Sequence, residues 1–238
     1  IVAPCSNPDR VEHLVEQFKL QNYKNKKLFL ILNNLTYNKK ELSEVRKKLP
    51  DNADLEIISG DFAVGTCLNL GAEKYYDSDY VFRFTDDDFF GPNYIYDMVE
   101  LAQATNADLI GKKFSYFKFD EDNEIYLRKR FVTTPIICKA TELSYDKVGL
   151  AGSTIGGKVS FFHKFRYPDD QIGAADAELN AALRNHEKAD EIIAVCADMM
   201  NFVVGRSKDG ERHIWKINSE NMAKTALVVS EDLKDVLL

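Results

Sequence analysis

Three consecutive carboxylates, Asp86-Asp87-Asp88, are the residues of this chain best suited to chemistry. They follow the apolar run Tyr80-Val81-Phe82-Arg83-Phe84-Thr85 and precede Phe89-Phe90-Gly91-Pro92. That context places them at the C-terminal edge of a predicted buried strand and just ahead of a helix. Like charges so placed repel one another and resist burial unless something neutralises them. A divalent cation, Mg²⁺ or Mn²⁺, does so through oxygen ligands and commonly carries substrate phosphates on its remaining positions. A solvated acidic turn capping the next helix is the competing explanation. The apolar strand leading into the triplet favours the metal–phosphate one.

The elements that position the triplet alternate. Ile1–Pro4 reads as a strand, and Asp9–Leu20 as an amphipathic helix with Val11, Leu14, Val15 and Phe18 on one face. Strands are predicted at Leu28–Leu32, Leu55–Ile58 and Tyr80–Phe84, with helices at Lys39–Leu49, Val64–Tyr76 and Asn93–Ala104. Repeated β-α-β units imply an α/β fold with a mostly parallel central sheet and helices on both faces. Ligands of such sheets lie beyond the carboxyl ends of the strands. Asn33, Asn34, Gly60, Asp61 and the Asp triplet all fall at such ends. The second half is less regular, with strands predicted at Ala107–Ile110, Glu124–Phe131 and Ile192–Cys196 and a strong helix at Ala175–Asn185.

Length and composition bound the rest. With 238 residues, 45% hydrophobic and 29% charged, the chain is read as one domain, residues 1–238, part of a longer polypeptide. A net charge of -7 argues against a general nucleic-acid binder. The short basic clusters Lys24-Asn25-Lys26-Lys27 and Arg46-Lys47-Lys48 read as solvated faces, with a role at a membrane surface left open. The four cysteines, Cys5, Cys67, Cys138 and Cys196, form no CxxC pair, which excludes a Cys-rich zinc site and suggests free thiols in a reducing, cytoplasmic compartment. No stretch of the sequence has the length of a transmembrane helix.

Several segments, in order, resemble the GT-A nucleotide-sugar glycosyltransferases of the family 2 type. Ala3-Pro4-Cys5-Ser6-Asn7-Pro8 resembles the opening strand and loop, and Gln21-Asn22-Tyr23-Lys24-Asn25 the segment before the second strand. Asn69-Leu70-Gly71 resembles the Arg-Asn-x-Gly helix, and Thr85-Asp86-Asp87-Asp88 through Pro92 the metal-binding DxD region. Phe165-Arg166-Tyr167-Pro168-Asp169 with Ala175-Asp176-Ala177-Glu178 resembles the segment carrying a Glu-Asp catalytic motif, and His213-Ile214-Trp215 a terminal His-x-Trp.

The resemblance implies a GT-A fold with residues 1–105 as the nucleotide-binding half and 106–238 as the acceptor-binding half. It implies transfer of a sugar from a nucleoside-diphosphate donor, a UDP-sugar by preference, to a hydroxyl of a saccharide or other acceptor, with inversion, in glycan or polysaccharide synthesis. Asp87 becomes the first metal ligand, Asp88 a second candidate, and His213 a third. Asp86 faces the ribose or a metal-bound water, and Pro4, Ser6, Asn7, Asn33, Asn34, Asp61 and Asn69 surround the nucleotide. Asp176, at a helix start where the macrodipole favours an anion, takes the general-base role. Gly152, Ser153, Thr154, Glu178 and Trp215 line the acceptor side, although Trp215 packed in the core is equally consistent with its residue type.

Three positions depart from the family pattern. Asn33-Asn34 stands where the family carries Asp-Asp or Asp-Asn, and an Asn can accept from uracil or donate to cytosine. Leu68 replaces the Arg of Arg-Asn-x-Gly, and Ala175 the Glu of Glu-Asp. These departures keep open a catalytically degenerate nucleotide-binding domain. A nucleotidyltransferase on a related sheet is the other alternative, although Pro4 to Asp9 lacks the Gly-rich basic loop it would use. His13, His163 and His186 read as structural.

Overall fold

The computed structural model describes residues 1–33, 37–59, 62–144, 148–169, 175–208 and 219–238. The first half follows the predicted alternation: β1 (Val2–Cys5), α1 (Val11–Leu20), β2 (Leu28–Asn33), α2 (Lys39–Lys48), β3 (Ala53–Ile58), α3 (Val64–Lys74), β4 (Tyr80–Phe82), a two-residue β5 (Phe89–Phe90) and α4 (Tyr94–Thr105). The second half holds β6 (Leu109–Lys112), β7 (Tyr116–Phe119), β8 (Ile125–Arg128), β9 (Ile136–Lys139), β10 (Gly156–Lys158), α5 (Val159–Phe162), α6 (Ala175–Arg184), β11 (Ile193–Ala197), β12 (Phe202–Arg206), α7 (Ser219–Lys224) and β13 (Ala226–Ser230).

β1, β2 and β3 pair in parallel, and a parallel bridge between Val2 and Arg83 joins them to the strand order β4-β10-β6-β11-β9. Within that continuous sheet β10 runs antiparallel to both β4 and β6. It is a reversal the sequence hides, because Gly156-Gly157-Lys158 has no strand-like pattern. The strand period of two sorts side chains to the two faces. Val2, Phe29 and Ile31 join Leu68, Ala72, Phe162, Leu179 and Leu183 of α3, α5 and α6 on one side. Ala3, Leu28, Leu30 and Leu32 join α1 and α4 on the other, through Val15, Phe18, Ile95 and Met98. A second sheet, in the order β13-β8-β7-β12-β5, carries β12 back beside the strand that follows the Asp triplet. The four cysteines are buried free thiols. No helix among the described residues is long and apolar enough to cross a membrane.

Candidate active site

β4 delivers the three carboxylates to the carboxyl edge of the sheet, beside the end of β1. Asp86 turns toward β1: its carboxylate faces Cys5, whose thiol donates to Asn7 O at 3.1 Å, and the backbone of Ser6. Burial, and then the charge of Asp87, hold its pKa above the ordinary carboxylate value despite those neighbours. The same packing pushes the Cys5 thiol up to about 12, by burial first and the Asp86 charge second, so Cys5 is a hydrogen-bond donor here rather than a nucleophile.

Asp88 is enclosed on all sides. Thr85 Oγ1 donates to its Oδ2 at 2.7 Å, the Gly205 N–H donates to its Oδ1 at 3.0 Å, and the Ser153 side chain faces the same carboxylate. Burial and the Asp87 charge still push its pKa up to about 7. Both Asp88 oxygens thus accept from protein donors, and the residue ties the triplet to β12 beside the 152–154 loop. Asp87 remains half-exposed, with the guanidinium of Arg206 facing it and Asp88. Arg206 is itself buried, and that burial pulls its pKa down against the two acids. Nothing in the sequence pattern singles out Arg206 or Gly205, because only the pairing of β12 with β5 brings them to the triplet.

The acceptor-side loop and the base-bearing helix meet directly. A Cβ placed on Gly152 would lie 2.5 Å from Asp176 Cγ and 2.7 Å from its Oδ2, so the carboxylate rests on the Gly152 backbone. Arg83 Nη1 donates to the Gly152 carbonyl at 3.2 Å. The buried Tyr167 phenol feels both charges: burial raises its pKa, Arg83 pulls it down and Asp176 raises it. Ser153 reaches the triplet, whereas Thr154 is buried, its hydroxyl accepting from Lys112 N–H at 2.8 Å and donating to Ala151 O at 2.7 Å. Glu178 lies half-buried in the first turn of α6.

Two residues expected at the nucleotide, Asn69 and Asn7, have protein partners. Asn69 lies buried with its amide donating to Tyr167 O (2.9 Å) and Asp169 Oδ1 (2.6 Å), while its Oδ1 accepts from Tyr167 N–H (2.9 Å). It braces the segment leading to α6, which a buried amide with three geometrically matched backbone and carboxylate partners does well. Asn7 Oδ1 caps the short helical turn after β1, accepting from Asp9 N–H at 3.0 Å. Pro4 is half-buried in β1 and Ser6 exposed after it. Asn33 ends β2 buried, and its Oδ1 has no partner among the described residues. Asn34, Asp61, His213 and Trp215 lie outside the described residues. His13 Nε2 pairs with Asp88 O at 2.8 Å and His163 Nε2 with Ala72 O at 3.0 Å, as expected of structural histidines.

Among the described residues no three His, Cys, Asp or Glu side chains converge as a metal cluster. The donor set nevertheless suits a hard cation that shares its coordination with phosphates, because Asp86 and Asp87 place two half-exposed carboxylates side by side at the sheet edge, next to the buried Asp88.

No protein-family model and no curated protein matches the chain. Solved structures do. The 1–349 fragment of Staphylococcus aureus TarS in complex with UDP-GlcNAc superposes with a TM-score of 0.60 at 13% identity, covering 86% of this chain and 57% of that one. Its complex with UDP gives 0.59 at 13% identity, over 87% and 60%. A mannosyltransferase of Pyrobaculum calidifontis in complex with GDP-Man and Mn²⁺ gives 0.56 at 13% identity, over 86% and 55%. The chain therefore has the fold of the GT-A nucleotide-sugar glycosyltransferases and spans under two thirds of the length of these neighbours.

Proposed function

We propose that the chain is a metal-dependent glycosyltransferase that moves a sugar from a nucleoside-diphosphate donor to a hydroxyl acceptor with inversion. The observation that carries this reading is the 152–154 loop, which lies against both the acid triplet and Asp176: Ser153 faces Asp88, and a Cβ on Gly152 would meet the Asp176 carboxylate. Transfer needs those two functions on opposite sides of one sugar ring, since the acceptor oxygen must approach the anomeric carbon from the face the diphosphate leaves.

In this mechanism Asp86 faces the ribose and Asn33 offers its unpartnered Oδ1 to a base N–H. Asp87 would hold Mn²⁺ or Mg²⁺, with His213 as its further ligand, and the group would supply Lewis-acid stabilisation of the leaving diphosphate's charge. Arg206 adds fixed positive charge at the same edge. Asp176 accepts the proton of the acceptor hydroxyl as its oxygen bonds to the anomeric carbon and the bond to the diphosphate oxygen breaks. The supporting solved structures hold UDP, UDP-GlcNAc and GDP-Man with Mn²⁺. Here UDP is favoured, because Asn33 presents an acceptor to a base edge and uracil N3–H is a donor.

A thermal-shift comparison of UDP, GDP and CDP with and without Mn²⁺ tests this reading, because a ligand that binds only the native state raises Tm. A rise for UDP that requires Mn²⁺ is expected. Equal shifts in EDTA would remove the metal from the proposal, and no shift with any nucleotide would refute it.

A further inference from the structure

Arg83 is a strange residue for its position. It bridges to Val2 in the middle of the sheet, and its side chain lines a cavity of about 10 Å³ with Leu68, Val81, Phe82, Ile155, Phe162 and Tyr167. Its Nε is buried and has no partner. A Leu or Met would pack among those walls without enclosing an unpartnered donor on a charged group, so the guanidinium costs stability where it stands. Its Nη1 nonetheless makes one directed contact, donating to the Gly152 carbonyl at 3.2 Å. On the other side of that same residue lies the Asp176 carboxylate, close enough that a Gly152 Cβ would fall 2.7 Å from Oδ2. Arg83 and Asp176 both act on the Tyr167 phenol, in opposite senses, which sets the two charges on one short stretch of the molecule.

We propose that Arg83 is a positioning residue for transfer, fixing the Gly152 backbone on which the Asp176 carboxylate rests. The inference rests on the glycosyltransferase reading and on Asp176 as its base. It also gives position 68 a context: with Leu68 on α3, the cation at this wall comes from the residue after β4 instead. Gly152 is held by the guanidinium at its carbonyl and by its neighbour Ser153, whose side chain faces Asp88. Loss of Arg83 leaves the second tether and removes the first, so the loop stays in place while the fit between Gly152 and Asp176 loosens. A misplacement of that size costs turnover much more than donor affinity.

The experiment compares the chain with Arg83→Met and Arg83→Lys. Three quantities are read in Mn²⁺: Tm, the Kd of UDP by calorimetry, and release of UDP from UDP-GlcNAc or GDP from GDP-mannose with water as acceptor. Arg83→Met should keep Tm within a few degrees, because Met fills the apolar wall, and keep the UDP Kd within about two-fold. Its kcat should fall roughly 10- to 100-fold. Arg83→Lys keeps a donor able to reach toward Gly152 and should recover part of that loss. A kcat within two-fold of the parent in Arg83→Met overturns the proposal, as does a fall in UDP affinity that matches the fall in kcat. Failure of Lys to improve on Met overturns it too, because the loss would then be one of packing. A parent chain that releases nucleotide from neither donor overturns the glycosyltransferase reading itself, a result distinguishable from failure at Arg83 alone.

Discussion

Gly205 lies against the Asp triplet so closely that a Cβ on it would stand 1.8 Å from the carbonyl oxygen of Asp87, while its N–H donates to Asp88 Oδ1 at 3.0 Å. β12 thus enters the site as bare backbone, and the next residue, Arg206, brings its charge to Asp87 and Asp88. Gly205→Ala cannot be absorbed by a side-chain rotation, because the atom it strikes is backbone. It should cost about 1–3 kcal/mol of stability, the range for overpacking a tight site. It should also weaken Mn²⁺-dependent UDP binding by displacing the triplet. Chemical denaturation and calorimetry check the two effects, and normal UDP affinity in a folded Gly205→Ala would show that β12 does not set the site.

Asp87→Ala should abolish the Mn²⁺ dependence of UDP binding and leave the fold intact. Asp87 is half-exposed, whereas Asp88 is buried and its two oxygens accept from Thr85 Oγ1 and Gly205 N–H. Circular dichroism and titration calorimetry suffice. UDP bound equally well by the mutant in Mn²⁺ would remove Asp87 as the ligand.

Asp88 makes a pH prediction with a definite sign. Its pKa in the folded chain is pushed up to about 7, above the roughly 3.9 of an unfolded Asp, so the native state holds the proton more tightly. Stability associated with Asp88 is therefore present at low pH and declines as pH rises from about 4 through 7. In EDTA, Asp88→Asn should flatten that part of the Tm–pH curve, since an amide copies the protonated carboxyl and keeps an acceptor for Gly205 N–H. An unchanged slope would mean that other groups set it.

How much of this was legible in the sequence depends on what kind of contact was involved. The alternation from β1 to α4 showed in periodicity because each element buries one face, and the triplet showed because three acids after an apolar strand need a reason. β10 did not, since two of its three residues are glycines chosen for close approach to Phe82 and Asp108 rather than for strand propensity. Arg83, Gly205 and Arg206 matter through contacts made more than 60 residues away in sequence, to Gly152 and to the triplet. No local pattern encodes such contacts. Asn69 illustrates the reverse: its place in a motif was visible, but the partners Tyr167 and Asp169 that occupy its amide were not.

The last prediction separates donor binding from transfer. Asp176→Asn preserves the side chain's shape on Gly152 but cannot accept the acceptor proton, so turnover should fall by roughly 10²- to 10⁴-fold. UDP affinity should survive, because Asp176 lies against Gly152 and is not among the groups around the Asp88 carboxylate. Gly152→Ala should reproduce the same pattern by a different route: the added methyl would meet Asp176 Cγ at 2.5 Å and drive the carboxylate off its seat without changing its chemistry. The same Asn replacement at Asp169, whose carboxylate is engaged with Asn69 Nδ2, should affect stability more than turnover per folded molecule. Nucleotide release assays on the three variants, set beside calorimetric UDP affinities, make the comparison. Near-normal release by Asp176→Asn would move the base elsewhere, and Glu178 in the same first turn of α6 would be the residue to replace next.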